Sequence, residues 1–221
     1  MPIPSRLTDR KRAAIVTAAV EVFHEHGFDN SSMDHIAEVA QVSKRTVYNH
    51  FESKEKLFVA IVEQLKSNAN ASAPLKYDGD RALEEQLNTF LKSVIDFHSR
   101  PDSRRLARVV VSRLLSDPAL AQELFGNAKI FEETLLEWMN EAQQAHKLKS
   151  FNTAIVARQL LAMLETFCIW PQLLRDADPP AAKLRNQVVQ EATSMFLSCY
   201  RATPSQLGDF PKRERSRNSI E

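Results

Sequence analysis

Glycine is scarce in this chain, with four in 221 residues. Loops that cradle phosphate need close backbone approach, which glycine permits, so nucleotide chemistry of that kind has little to stand on. Cysteine is scarcer still. Cys168 and Cys199 are too few for a disulfide framework and show no C-x-x-C spacing. Both lie in strongly apolar helical stretches and read as buried free thiols, with a redox switch as the unsupported alternative. Charge of one sign is missing too: 29 Lys and Arg stand against 28 Asp and Glu, a net +1. That rules out a general nucleic-acid sponge, and any DNA binding has to come from a local patch. There is no uninterrupted apolar run of about 18 residues to span a membrane, and the opening MPIPSRLTDRKR lacks the apolar stretch of a signal peptide. A cytoplasmic location is therefore expected, with no membrane partner. Catalytic signatures are absent as well: no G-x-S-x-G, no H-E-x-x-H. Among six histidines, His24 and His26 are two apart on a helix and do not share a face, so they read as exposed near a helix end. No enzyme, no metal and no cofactor is expected.

What is present is helical. The chain is 43% hydrophobic and 26% charged, enough for one or two compact domains with a full core, and no alternating β-branched segment of useful length occurs. The fold class is therefore all-α. Within it, SMDHIAEVAQVSKRTVYNHF (32–51) reads as two short helices broken by a tight turn. Ile36, Ala37, Val39 and Ala40 give the first an apolar side, Val42 bridges the turn, and Val47 with Phe51 supplies i, i+4 apolar positions on the second. Ser31 or Ser32 can cap the first helix and Ser43 the second. With Val47 inward, a step of about 100° per residue turns Arg45 and Asn49 outward, Thr46 and Tyr48 beside them, Lys44 and His50 toward the edges. These are the residue types that read DNA: Arg grips guanine O6 and N7, Asn pairs with adenine, and the Thr methyl meets a thymine methyl. The edge positions and Lys54 suit phosphates. From Ser43 to Lys56, four basic residues face two acidic ones, net +2, so contacts rather than bulk charge must carry recognition.

A longer helix precedes this unit. Ile15, Ala18, Ala19, Val22 and Phe23 keep helical spacing, Thr8 is its expected cap and Gly27 its stop. Arg6, Arg10, Lys11 and Arg12 cluster at its start, against the helix dipole. A DNA phosphate would compensate them; plain solvation is the alternative.

Residues from about Arg10 to Phe58 closely resemble the N-terminal domain of TetR/AcrR-type transcriptional regulators. The resemblance rests on F-x-x-x-G-F (Phe23 to Phe28), IA-x-x-A, V-S-K-x-T-V-Y-x-H-F and S-K-E-x-L-F. It implies a three-helix, helix-turn-helix DNA-binding head joined by a long helix to a helical ligand-binding and dimerisation domain. The family's DNA-contacting positions correspond to Lys44, Arg45, Thr46, Tyr48, Asn49, His50 and Lys54, and Ser32 joins them as a candidate contact. Gln41 departs from the family, which usually has Gly at that turn position; a positive φ there would cost on the order of 1 kcal/mol.

The expected domains are a head over 1–53, a linking helix over about 54–70, a body over 71–203 and a flexible tail over 204–221. A helix opening at Ser53 carries Leu57, Phe58, Ile61, Val62 and Leu65 toward the body. At least four further amphipathic helices follow. One is built on Leu83 to Val94, a second on Leu106 to Leu114 and a third on Ile130 to Met139. Val156 to Phe167 gives a fourth, stopped by Pro171, and a fifth runs from about Ala181 to Tyr200 through Leu184, Val188, Ala192, Met195 and Phe196. The large apolar residues of the body are either plain core or walls of a ligand cavity, and the resemblance favours a cavity. Its candidates are Phe97, His98, Arg113, Phe125, Phe131, Trp138, Met163, Phe167 and Trp170. For His98 a capping or solvent-facing histidine is the preferred reading, and for Arg113 an internal ion pair or a snorkelling side chain. The resemblance also implies a homodimer through the last two helices, about 153–171 and 181–201, on a palindromic double-stranded operator, with a small effector as third partner. A helical interaction protein, or a constitutive DNA binder without a ligand, is the rival reading.

Overall fold

The computed structural model describes residues 4–125 and 130–202. The tail over 204–221, Gly126, Gly208 and the side chains of Arg6 and Phe125 lie outside the described residues. The first helix, α1 (Pro4–His26), begins a turn earlier than a Thr8 cap predicts. Proline is preorganised for a first helical turn and has no N–H to lose there. Arg10, Lys11 and Arg12 consequently sit past the first turn, where the dipole hardly reaches them. Gly27 ends α1 with φ +76, its N–H on the Phe23 carbonyl at 3.0 Å.

α2 (Met33–Val39) and α3 (Lys44–His50) are seven residues each, too short to persist alone. Caps and a shared core hold them. Ser32 accepts from the His35 N–H and Ser43 from the Thr46 N–H, each at 3.1 Å, contributions of about 1 kcal/mol apiece. Ile36 and Ala37 from α2, Val47 from α3 and Phe51 join one apolar cluster with Ile15, Ala19 and Val22 of α1. Val39, placed inward by its spacing, is instead exposed, because α2 ends there. Between the helices, the Gln41 N–H bonds the Glu38 carbonyl and the Val42 N–H the Ala37 carbonyl, both at 3.1 Å. That crossed pair is a Schellman turn, whose left-handed residue is Gln41 at φ 54.

α4 (Lys54–Ser72), capped by Ser53, leaves the head and buries Leu57, Phe58, Ile61, Val62, Leu65 and Ala69. The body contains α5 (Leu83–Ser99), α6 (Pro101–Ser116), α7 (Pro118–Phe125) and α8 (Glu132–Gln144), then α9 (Thr153–Leu164), α10 (Trp170–Arg175) and α11 (Ala182–Tyr200). α5 packs on α11, α8 on α9, and α6 reaches across to α1 and α4. Nothing in the apolar spacing announced α7. No strand occurs among the described residues; one bridge joins Leu148 and Arg201. The all-α expectation holds.

Pro171 does not stop its helix. A π turn, Glu165–Ile169, joins α9 to α10, and the Trp170 N–H bonds the Glu165 carbonyl, five residues back. The extra residue widens the spiral just where the proline ring and its missing N–H would break the ordinary ladder. Asp176, at φ 53, ends the run, and Arg108 pins it by 2.7 Å contacts to the Asp176 carboxylate and the Gln172 carbonyl. By length and composition alone Thr153–Arg175 is long and apolar enough to cross a membrane, and 39% of its most apolar window is buried inside the chain. In α11, Val189, Ala192, Thr193, Phe196 and Leu197 face inward, leaving Leu184 and Met195 outside. Cys168 is buried, but Cys199 is exposed on that outer side of α11, not in the core.

Candidate functional site

Val47 has no exposed surface, and that fixes how α3 is turned. Arg45 and Asn49 project into solvent, and Tyr48 is 50% exposed. Thr46 and His50 are half-buried. The Thr46 hydroxyl lies 2.7 Å from that of Ser43 and belongs to the cap. Lys44 reaches back to Asp34 in the first turn of α2, with 2.6 Å between Nζ and the carboxylate. That bond and the charge behind it raise the Lys44 pKa, so a phosphate would meet an ammonium already shared with Asp34. Ser32 is exposed, its hydroxyl committed to the His35 N–H. From α1, the Arg12 guanidinium lies 5.0 Å over the Phe51 ring, bringing the basic cluster to the end of α3.

Lys54 departs from the phosphate-contact reading. Its ammonium is turned into the head and donates to the carbonyls of Phe28, Ser31 (3.0 Å) and Asp29 (3.3 Å), 4.4 Å over the Phe28 ring. Carbonyls of a loop have no ladder to satisfy them, and a three-donor ammonium does so here. Lys54 thereby holds the connection between α1 and α2. A second cation meets the same ring: the half-buried Arg113 of α6 places its guanidinium 4.5 Å over Phe28, with contacts of 3.9 Å to Asp29 and 3.0 Å to Asp117. Arg113 is thus a body residue gripping the head, not a cavity residue.

The body has a half-open cavity of about 300 Å³ between α4, α5, α6 and the α9–α10 run. Of the nine residues proposed from sequence, His98, Phe131 and Trp170 line it. Phe97 stands behind, its ring 5.2 Å from His98 and 5.6 Å from Phe131. Trp138 is core: it is fully buried and donates its indole N–H to Gln86 at 3.1 Å. Met163 packs against the core without reaching the cavity, and Phe167 is 58% exposed on the outside of the body. The main walls are Leu65, Val110, Val111, Leu114 and Leu161, with Glu165 in the π turn. Hydrophobic spacing could mark the wall residues only as buried, and a π turn leaves no trace in it, so Glu165 carried no signal. Burial pushes the His98 pKa down to about 4. Its Nδ1 is sealed from solvent and has no hydrogen-bond partner among the described residues.

Comparison with known proteins accords with both halves. Residues 15–61 match the family described as bacterial regulatory proteins, tetR family, and residues 85–202 the C-terminal domain of AefR-like transcriptional repressors. The HTH-type transcriptional regulator UidR of Escherichia coli K12 is 29% identical over 151 residues, 68% of this chain and 76% of its own. RutR of the same organism is 32% identical over 133 residues, covering 57% and 58%. A crystal structure of a TetR family regulator from Pseudomonas syringae pv. tomato DC3000 superposes with a TM-score of 0.77 at 37% identity, over 88% of this chain and 99% of that one. These relatives are transcriptional regulators, not enzymes.

Proposed function

This chain belongs to the TetR family of DNA-binding transcriptional regulators, and we propose that it is a repressor that binds a palindromic operator as a homodimer and releases it when a small, largely apolar effector fills the body. The head over 1–53 would do the reading, the linking helix and the body the sensing, in the bacterial cytoplasm and on the nucleoid when bound. One observation carries the reading: α3 is locked by a buried Val47 and a serine cap while Arg45, Tyr48 and Asn49 stay exposed on one face. Such a face fits a major groove. One seven-residue helix covers few base pairs, so specificity asks for two heads on a two-fold axis. Apart from Leu115, the exposed large apolar side chains of the described body lie on α9 to α11 and the π turn: Ile155, Phe167, Trp170, Leu174, Leu184 and Met195. A surface of that kind calls for a partner, and a second copy supplies the symmetry the heads need. The match of residues 85–202 to a repressor domain supports the direction of control.

α6 connects cavity and head. Val110, Val111 and Leu114 form cavity wall, and Arg113, in the same turn, grips Phe28 and Asp29. An effector that displaces α6 would drag the loop that Lys54 also holds and so re-space the two reading helices, a coupling of about 1 to 3 kcal/mol. The test is substitution on α3. Tyr48→Ala is expected to weaken operator binding at unchanged melting temperature, and Asn49→Ala to relax preference at one base pair by about 1 to 3 kcal/mol. Equal operator affinity of wild type and Tyr48→Ala would remove α3 from the reading role.

A further inference from the structure

The body cavity has a definite chemical character beyond its size. Its described wall holds no lysine and no arginine, one carboxylate from Glu165, and one imidazole from His98. Burial keeps that imidazole neutral at physiological pH. A neutral histidine has one donor and one acceptor nitrogen; Nδ1 here is sealed off, so the side chain meets the cavity by its other atoms. Around it, Phe131 approaches the His98 ring edge-on at 5.7 Å, Phe97 stands at 5.2 Å, and Trp170 closes another part of the wall.

We infer that the cavity takes an uncharged, chiefly aromatic molecule carrying a hydroxyl that hydrogen-bonds the His98 imidazole, and that it rejects the corresponding carboxylates. A hydroxyl suits either tautomer of the histidine, since it donates to a bare nitrogen and accepts from a protonated one. A carboxylate only accepts. It would be desolvated among apolar walls with no cation among the described lining residues to receive it and would share the space with Glu165. The volume of about 300 Å³ suits a one- or two-ring skeleton. The inference rests on the effector reading of the cavity given above.

A matched set of probes tests it on the full chain: 4-ethylphenol, ethylbenzene and 4-ethylbenzoate, with binding measured by calorimetry at neutral pH. The phenol is expected to bind about tenfold more tightly than ethylbenzene and to outcompete the benzoate by more. His98→Leu should bring the phenol down to the level of ethylbenzene while leaving ethylbenzene affinity in place. His98→Gln, which keeps a polar group but moves it, should keep the hydroxyl preference in weakened form, and melting curves identify which variant is folded. An undiminished hydroxyl preference in a folded variant, or a benzoate that binds as tightly as the phenol, would overturn the inference and leave the cavity a ligand site. Failure of all three probes to bind wild type would overturn the effector reading along with it.

Discussion

Gln41 carries the turn of the reading unit on a left-handed backbone, at φ 54. A side chain with a Cβ is strained there and glycine is not. Gln41→Gly should therefore raise stability by about 1 kcal/mol, read as a higher denaturant midpoint; a drop would mean that the Gln side chain contributes more than the strain removes. The need for a left-handed residue was visible in the family resemblance, although the Schellman hydrogen bonds that impose it were not. His98 gives a second residue-scale expectation. Its pKa is about 4 folded against 6.5 ordinarily, so between those values the unfolded chain binds the extra proton. Its contribution is complete above pH 6.5 and fades as pH falls toward 4, by on the order of 3 kcal/mol at most. In denaturant titrations the stability of wild type relative to His98→Leu should decline over that window, and a constant difference would show that His98 does not titrate there. Lys54 shows the limit of reading at this scale. Its residue type suits phosphate, but its amino group goes to three carbonyls of a loop 23 to 26 residues away in sequence, and no local pattern encodes that.

Among the elements, the reading helix was legible because its determinants are local: a serine cap, an i, i+4 apolar pair and exposed polar types all fall within nine residues, Ser43 to Phe51. Local rules misled where the neighbourhood decides. Pro171 reads as a stop, yet the π turn absorbs it and Arg108 secures the extension from α6. Leu184 and Met195 read as inner positions of α11, yet they lie outside. α6 is the element on which the regulatory account turns, since it is both cavity wall and holder of the head. Arg113→Ala should loosen the segment after α1: amide exchange over residues 28–32 should quicken by about tenfold, with α5 unchanged. Unaltered exchange in that segment would detach α6 from the head and remove the proposed route of the signal.

On the scale of the whole molecule, the two short helices of the head and the turn between them were readable in the sequence, whereas the cavity was not. Its wall is assembled from helices as far apart in sequence as Leu65 and Leu173, and apolar spacing marks each contributor only as buried. That is why Trp138 and Met163 looked equivalent to Phe131 from sequence, and why Val110 and Leu161 were not among the cavity candidates. The exposed apolar face over α9 to α11 has the same origin: hydrophobic spacing alone does not separate a residue covered by its own chain from one covered by a second copy. Two heads on one operator require both that face and α3. Selecting bound sites from random duplex DNA with wild type and with Phe167→Glu, which puts a charge on the exposed face, tests this requirement. A palindromic motif bound at nanomolar level is expected for wild type, and for Phe167→Glu a monomer in sedimentation with affinity for that motif reduced at least about tenfold. No enriched motif from wild type, or a variant that binds the palindrome as tightly while monomeric, would contradict it.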